Sequence, residues 1–211
     1  WKKMIELLTA NTPNGKKISI MLEEINFKYK VTKVNINKDE QFRPEFVKLS
    51  PFRKIPVIID HENSLSLFES GAILIYLGEK SGKFYDNHNR TQINQWLMGQ
   101  MAYVGPMLGQ HHQFHHYNPG KSKFGEERYF KISERIYKEL DERLSSSEYL
   151  AGNHYTIADI ATFPWIARHE WHDIGLKKFK NLTRWYKKIA SRPAVQKGFD
   201  LLQKNEKIPE A

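Results

Sequence analysis

The feature that most constrains this chain is a change of apolar period near residue 90. Before it, strand spacing and helix spacing take turns; after it, only helix spacing remains. Residues 4–8 read as a short strand, residues 9–15 as a breaker run, and Ile18, Ile20, Met21 and Ile25 as a helix face. Residues 29–36 alternate as a strand does, and residues 44–49 open a helical turn at Pro44. Residues 55–60 and 65–68 make two strands joined by a tight turn, and a helix bearing Ile73, Leu74, Tyr76 and Leu77 follows Glu69-Ser70-Gly71. The order β-α-β-α-β-β-α predicts a small α/β layer. Amphipathic stretches over 91–112, 126–144, 157–168, 182–191 and 193–202 predict an all-α second half. Residues 81–89 read as the linker and the Lys-rich tail 203–211 as frayed, so the expected domains are 1–82 and 90–211.

Composition removes whole classes of function. No apolar run approaches the ~20 residues that cross a bilayer, and residues 1–8 lack the apolar core and cleavage site of a leader. No membrane partner is expected, and the cytoplasm is the expected compartment. Lys plus Arg outnumber Asp plus Glu by 33 to 24, a formal charge of +9 that favours anionic partners. The basic residues are scattered and form no aromatic-basic motif, so no nucleic-acid partner is expected and small acidic ligands fit better. There is no cysteine, which forbids disulfides, zinc–thiolate sites and a cysteine nucleophile.

Three short runs stand out. Ile55-Pro56 begins a strand; Phe68-Glu69-Ser70-Gly71 lies between a strand and a helix; Thr156-Ile157-Ala158-Asp159 has the spacing of a capping box. Each alone has a plain structural reading as strand start or helix cap. Together, and in this order, they resemble the soluble glutathione transferase family across nearly the whole chain. The runs Thr12-Pro13-Asn14-Gly15, Gln41-Phe42-Arg43-Pro44-Glu45-Phe46 and Gly105-Pro106-Met107-Leu108-Gly109-Gln110 resemble its nu-class group, which includes bacterial disulfide-bond reductases and a fungal nitrogen regulator.

The resemblance implies a thioredoxin-like glutathione-binding domain over 1–82, an all-helical domain over 90–211, and a homodimer. It implies a cis Pro56, with the Ile55 backbone pairing with the cysteinyl unit of glutathione. Ser70 would hold the γ-glutamyl carboxylate at a helix start and Glu69 the ammonium, while Gln41 and Lys54 match partners of the glycyl carboxylate. Arg128 matches an arginine that reaches the site from the second subunit. Phe52 and Arg53 stand where the group commonly has a polar pair, and Lys16 where it often has histidine, so a more positive loop is expected.

Leu7 and Leu8 occupy the place of the tyrosine found in other members, so catalysis would fall to Thr12 and Asn14. A threonine hydroxyl and a helix-start N–H can both donate to a thiolate and lower its pKa. The rival reading makes Asn14 an N-cap and Gly15 a loop residue. The implied substrates are glutathione, glutathione disulfide and small disulfides, with the guest thiols carrying the exchange. A noncatalytic regulatory or interaction module on the same fold is the alternative. The histidines of 111–116 have helical spacing for zinc but no third ligand, so no metal is expected. By resemblance residues 110–116 would line a pocket for a second glutathione; otherwise they are solvated histidines at a helix end.

Overall fold

In a computed structural model the chain is described over residues 4–211. Residues 1–3, which belong to the segment searched for a leader and to the first expected domain, lie outside the described residues. Two compact units emerge, residues 4–85 with 192–207, and residues 86–191 with 208–211.

The first unit holds a four-stranded sheet of order β2-β1-β3-β4, from β1 (Ile5–Thr9), β2 (Tyr29–Lys33), β3 (Val57–Asp60) and β4 (Leu65–Phe68). β1 and β2 are parallel, while β1 with β3 and β3 with β4 are antiparallel. The crossover between β1 and β2 is α1 (Pro13–Ile25), which starts with proline, where a missing N–H costs nothing, and stops at Asn26 in the left-handed region. A short α2 (Pro44–Val47) precedes β3, and α3 (Ser70–Ser81) follows β4 and ends at the left-handed Gly82. Leu7, Ile18, Met21, Leu22, Val57, Ile58, Ile73 and Leu74 form the buried centre.

The last helix, α9 (Pro193–Asp200), packs on α1 and so belongs to this unit, whereas the sequence reading placed it in the helical domain. Its helical period is a local property; which unit it covers depends on contacts nearly 180 residues away in sequence. Gly198 makes that approach possible, since a Cβ there would stand 2.6 Å from Ile20 Cα. Ser19 donates to the Gly198 carbonyl at 2.6 Å, Arg192 grips Glu24 through two nitrogens at 2.6 and 2.8 Å, and Lys197 meets Glu23 at 2.7 Å. The tail beyond α9 is not frayed. Glu206 accepts from Lys16 Nζ at 2.7 Å and from Asn11 at 2.9 Å, and the Pro209 carbonyl accepts from Tyr186 in the helical unit at 2.7 Å.

The helical unit contains α4 (Arg90–Gly99), α5 (Gly105–His111), α6 (Lys123–Ser145), α7 (Ile157–Ile166) and α8 (Lys180–Ala190). The single helix expected over 91–112 is divided by a π-turn at Gln100–Val104, and a second π-turn at His112–Tyr117 extends it. Pro106, with no N–H and a ring that crowds the preceding turn, explains the first widening. Every residue of α7 is buried, as befits a helix apolar but for Thr162, which donates to the Ala158 carbonyl at 2.8 Å, and Asp159. Thr156 Oγ1 accepts from the Ala158 N–H at 3.3 Å, and Asp159 accepts from the N–H groups of Thr156 and Leu150, both at 3.0 Å, and from Trp185 Nε1 at 2.8 Å.

Candidate functional site

Strand register decides which loops meet. Leu8 faces Val57 and Val57 faces Phe68, so the exit from β1, the entry to β3 and the exit from β4 share one end of the sheet. Lys33 lies beside Thr9 on the parallel partner, so the segment after β2 leaves at that end too. Thr12, Asn14, Gln41, Ile55, Pro56, Glu69 and Ser70 all belong to these three connections, after β1, between β2 and β3, and after β4. Ligands of α/β sheets gather where strand ends and helix starts coincide.

Thr12, and not Asn14, is the N-cap of α1; its Oγ1 accepts from the Gly15 N–H at 3.1 Å. That bond occupies a lone pair and leaves the hydroxyl hydrogen for an acceptor beyond the helix end. Asn14 is the second helical residue, within the turn whose N–H groups point out of the helix. Gly15 is helical, not loop, and a Cβ there would collide with the Ala10 carbonyl oxygen. α1 has no acidic residue in its first turn, and neither has α3.

The Ile55–Pro56 peptide bond is cis. Ile55 packs its side chain against Val34, Phe46 and Val57, and among the described residues its N–H and C=O have no backbone hydrogen-bond partner. Glu69 caps α3 at φ 68 and ψ 113, a conformation that costs a non-glycine residue about 1–3 kcal/mol, and its side chain is exposed. Ser70 is the first residue of α3 and is buried.

Two neighbouring lysines are buried, although lysine is seldom fully buried unless paired. Lys16 is 1% exposed, with Nζ 2.8 Å from the Phe199 carbonyl, 2.7 Å from Glu206 and over the Phe199 ring. Glu206 neutralises it, so it does not make the loop more positive. Lys17 is 2% exposed, and its Nζ lies 3.4 Å from Ser70 Oγ. Burial lowers its pKa to about 7 against the opposing pull of Glu69. The only sequence signal for Lys17 is its place between two faces of a helix that the fold covers on both sides.

Gln41 sits in a 3₁₀ turn, donating weakly to the Ile36 carbonyl at 3.4 Å, with its own Oε1 buried and without a partner. The Lys54 backbone is held by Ser50 Oγ, which accepts from its N–H at 3.1 Å and donates to its C=O at 2.8 Å, while the side chain is exposed. Arg53 is left-handed, and Phe52 is 67% exposed with its ring edge-on to Phe68. Arg128 is an exposed residue of α6 in the helical unit.

The histidine run divides in two. His111 and His112 are buried rather than solvated. His112 Nε2 lies 2.7 Å from His172 Nε2, and His172 Nδ1 lies 2.6 Å from the Tyr137 hydroxyl. Burial brings His112 down to about 3 and holds His172 well below the usual imidazole range, so both rings are neutral at physiological pH. His115 instead meets the exposed Asp173 at 2.8 Å. Among the described residues no group of three or more His, Cys, Asp or Glu side chains is placed to hold a metal ion, and no helix is long and apolar enough to cross a membrane.

A thioredoxin-like layer with a cis-proline edge and two helices whose first turns hold no acid, in a chain with a second, helical unit, defines a class, and family models agree. The glutathione S-transferase N-terminal domain matches residues 5–79 and the C-terminal domain residues 107–193. The chain belongs to the glutathione S-transferase family. It is 45% identical over 199 residues to the disulfide-bond oxidoreductase YfcG of Escherichia coli (strain K12), spanning 91% of this chain and 93% of that protein. The crystal structures similar to it include two with glutathione or its disulfide bound. One is a Burkholderia graminis glutathione transferase with two glutathione molecules bound per subunit (TM-score 0.90, 38% identity, 96% of this chain, 90% of that one). The other is a Pseudomonas putida glutathione transferase with one glutathione disulfide bound per subunit (TM-score 0.87, 40% identity, 94% and 92%).

Proposed function

We propose that the chain is a glutathione-dependent disulfide-bond oxidoreductase that binds two glutathiones or glutathione disulfide, acts as a homodimer and works in the cytoplasm. The observation that carries this reading is the meeting, at one end of one sheet, of two helices with no acid in their first turns and an open backbone edge at Ile55, in a chain that owns no thiol. Ser70 and the α3 start receive the γ-glutamyl carboxylate and Glu69 its ammonium. The Ile55 edge pairs with the cysteinyl backbone next to Pro56, and Gln41 and Lys54 address the glycyl carboxylate. The Thr12 hydroxyl and the Asn14 N–H donate to the sulfur and hold it as thiolate.

That thiolate attacks one sulfur of a substrate disulfide. The new S–S bond joins glutathione to half of the substrate, and the other half leaves as a thiolate that takes up a proton. A second glutathione thiolate then attacks the glutathione sulfur of the mixed disulfide, releasing the remaining substrate thiol. The sum is two glutathiones and one disulfide giving glutathione disulfide and two thiols. Arg128 of a second subunit adds positive charge to this site. The exposed rings of Phe52 and of Phe124, 76% exposed, offer apolar surface to the second copy.

Millimolar glutathione disulfide is expected to raise the melting temperature, a ligand at 100 times its Kd adding about 2.7 kcal/mol. Hydroxyethyl disulfide should be reduced at the expense of glutathione. Melting that ignores both forms of glutathione, with no reduction, would transfer the chain to the noncatalytic reading.

A further inference from the structure

The helical unit hides an imidazole pair that the proposed reaction does not use. His112 opens the second π-turn, and His172 follows a 3₁₀ turn over His169–Trp171. Their Nε2 atoms meet at 2.7 Å, and His172 Nδ1 lies 2.6 Å from the Tyr137 hydroxyl of α6. His172 and Tyr137 are wholly buried and His112 is 6% exposed. A contact between two ring nitrogens holds one hydrogen, so one ring donates and the other accepts. The pair can take one added proton and keep that bond by rearranging its hydrogens, but the charge then sits where water does not reach. A second proton would set two hydrogens between the same nitrogens and break the bond.

The surroundings oppose even the first proton. Arg168 and His111 act against a charge on both rings, His116 against one on His112 and His169 against one on His172. Trp165 stacks on His112 and Trp171 meets it edge-on. From α6 and α8 the titratable groups are the buried hydroxyls of Tyr137 and Tyr186. The acids of this corner act elsewhere, Asp173 on His115 and His111, and Glu170 on His169 and Tyr186. We propose that the His112–His172–Tyr137 chain is an acid-sensitive lock: with both rings neutral it ties the π-turn and the 3₁₀ turn to α6, and protonation of the pair releases that corner while α7 stays folded. Burial holds both imidazoles below their ordinary range, His112 at about 3, so the released form binds more protons than the closed one. The lock is therefore at full strength above the ordinary imidazole pKa of about 6.5 and weakens steadily as pH falls below it. Short π and 3₁₀ turns hold less firmly than α-helix, so this corner opens before the helices around it.

The test is amide hydrogen exchange of the full chain at pH 6.5 and pH 5, corrected for the intrinsic rate. Two imidazoles that titrate normally only in the open form multiply the opening constant by roughly 100 or more over that interval. Protection over residues 112–117 and 169–172 should fall by that factor, and protection in α7 by less than about threefold. His112→Gln keeps an amide to bond His172 Nε2 and has no proton to gain, so it should lessen the loss about tenfold. A second measurement needs no variant: nitrogen NMR of the imidazoles at pH 5.5 should find both rings neutral in the folded protein. Either ring charged in the folded protein, protection that ignores pH, or a loss spread evenly through α7 would each overturn the lock.

Discussion

Helices α7 and α1 both begin at a threonine whose hydroxyl accepts a first-turn N–H, yet one start is sealed and the other open. At α7 the chain supplies its own anion, for Asp159 lies in the first turn, wholly buried, and takes N–H donors from Thr156, Leu150 and Trp185. At α1 no acid is present in the first turn and Thr12 and Asn14 remain half-buried. The same capping device is structural where the protein neutralises the helix end, and in the function proposed above it receives a ligand where the protein withholds the charge.

Unsealing α7 should have the largest effect. Asp159→Ala removes the acceptor of four buried donors, the Thr156 hydroxyl included, and is expected to cost about 3–5 kcal/mol, a fall of roughly 10 °C in melting temperature by circular dichroism. Glutathione should not restore it to the unmodified value. Thr12→Ala removes one donor to the sulfur, so steady-state disulfide reduction should fall about 100-fold, with a smaller change in affinity. Its stability cost should be only about 1 kcal/mol. A melting loss as great as that of Asp159→Ala would erase the distinction between the two helix starts. The smallest and sharpest change is Asn14→Asp, which gives the first turn of α1 the acid it lacks. It should stabilise the fold by about 0.3–1 kcal/mol while weakening glutathione binding, measured by melting and by titration on one preparation. Tighter binding in that variant would break the comparison.

Much of this was legible from residue spacing. The strand–helix order of the first 80 residues, the Thr156–Asp159 box and the three loops of the site are local patterns, and local patterns are what periodicity and turn chemistry report. What escaped depends on partners far away in the chain. His112 looks like one of four solvated imidazoles until His172, 60 residues on, closes over it. Lys17 looks like a surface lysine until α3 arrives, and α9 reads as one more helix of the second domain until Gly198 lets it settle on Ile20. Pro106 carried a readable warning that the helix around it would widen, because its missing N–H is a local fact.

The clasp between Glu206 and the first helix has a consequence for how the protein comes into being. Asn11 and Lys16, on either side of Thr12, find their shared carboxylate 195 and 190 residues downstream. A growing polypeptide therefore displays its first strand and helix long before the residues that brace that corner have left the ribosome. That corner closes only once residue 206 has been made, so a product stopped before it would carry Thr12, Asn14, Ile55, Glu69 and Ser70 and still lack the carboxylate that ties Asn11 to Lys16.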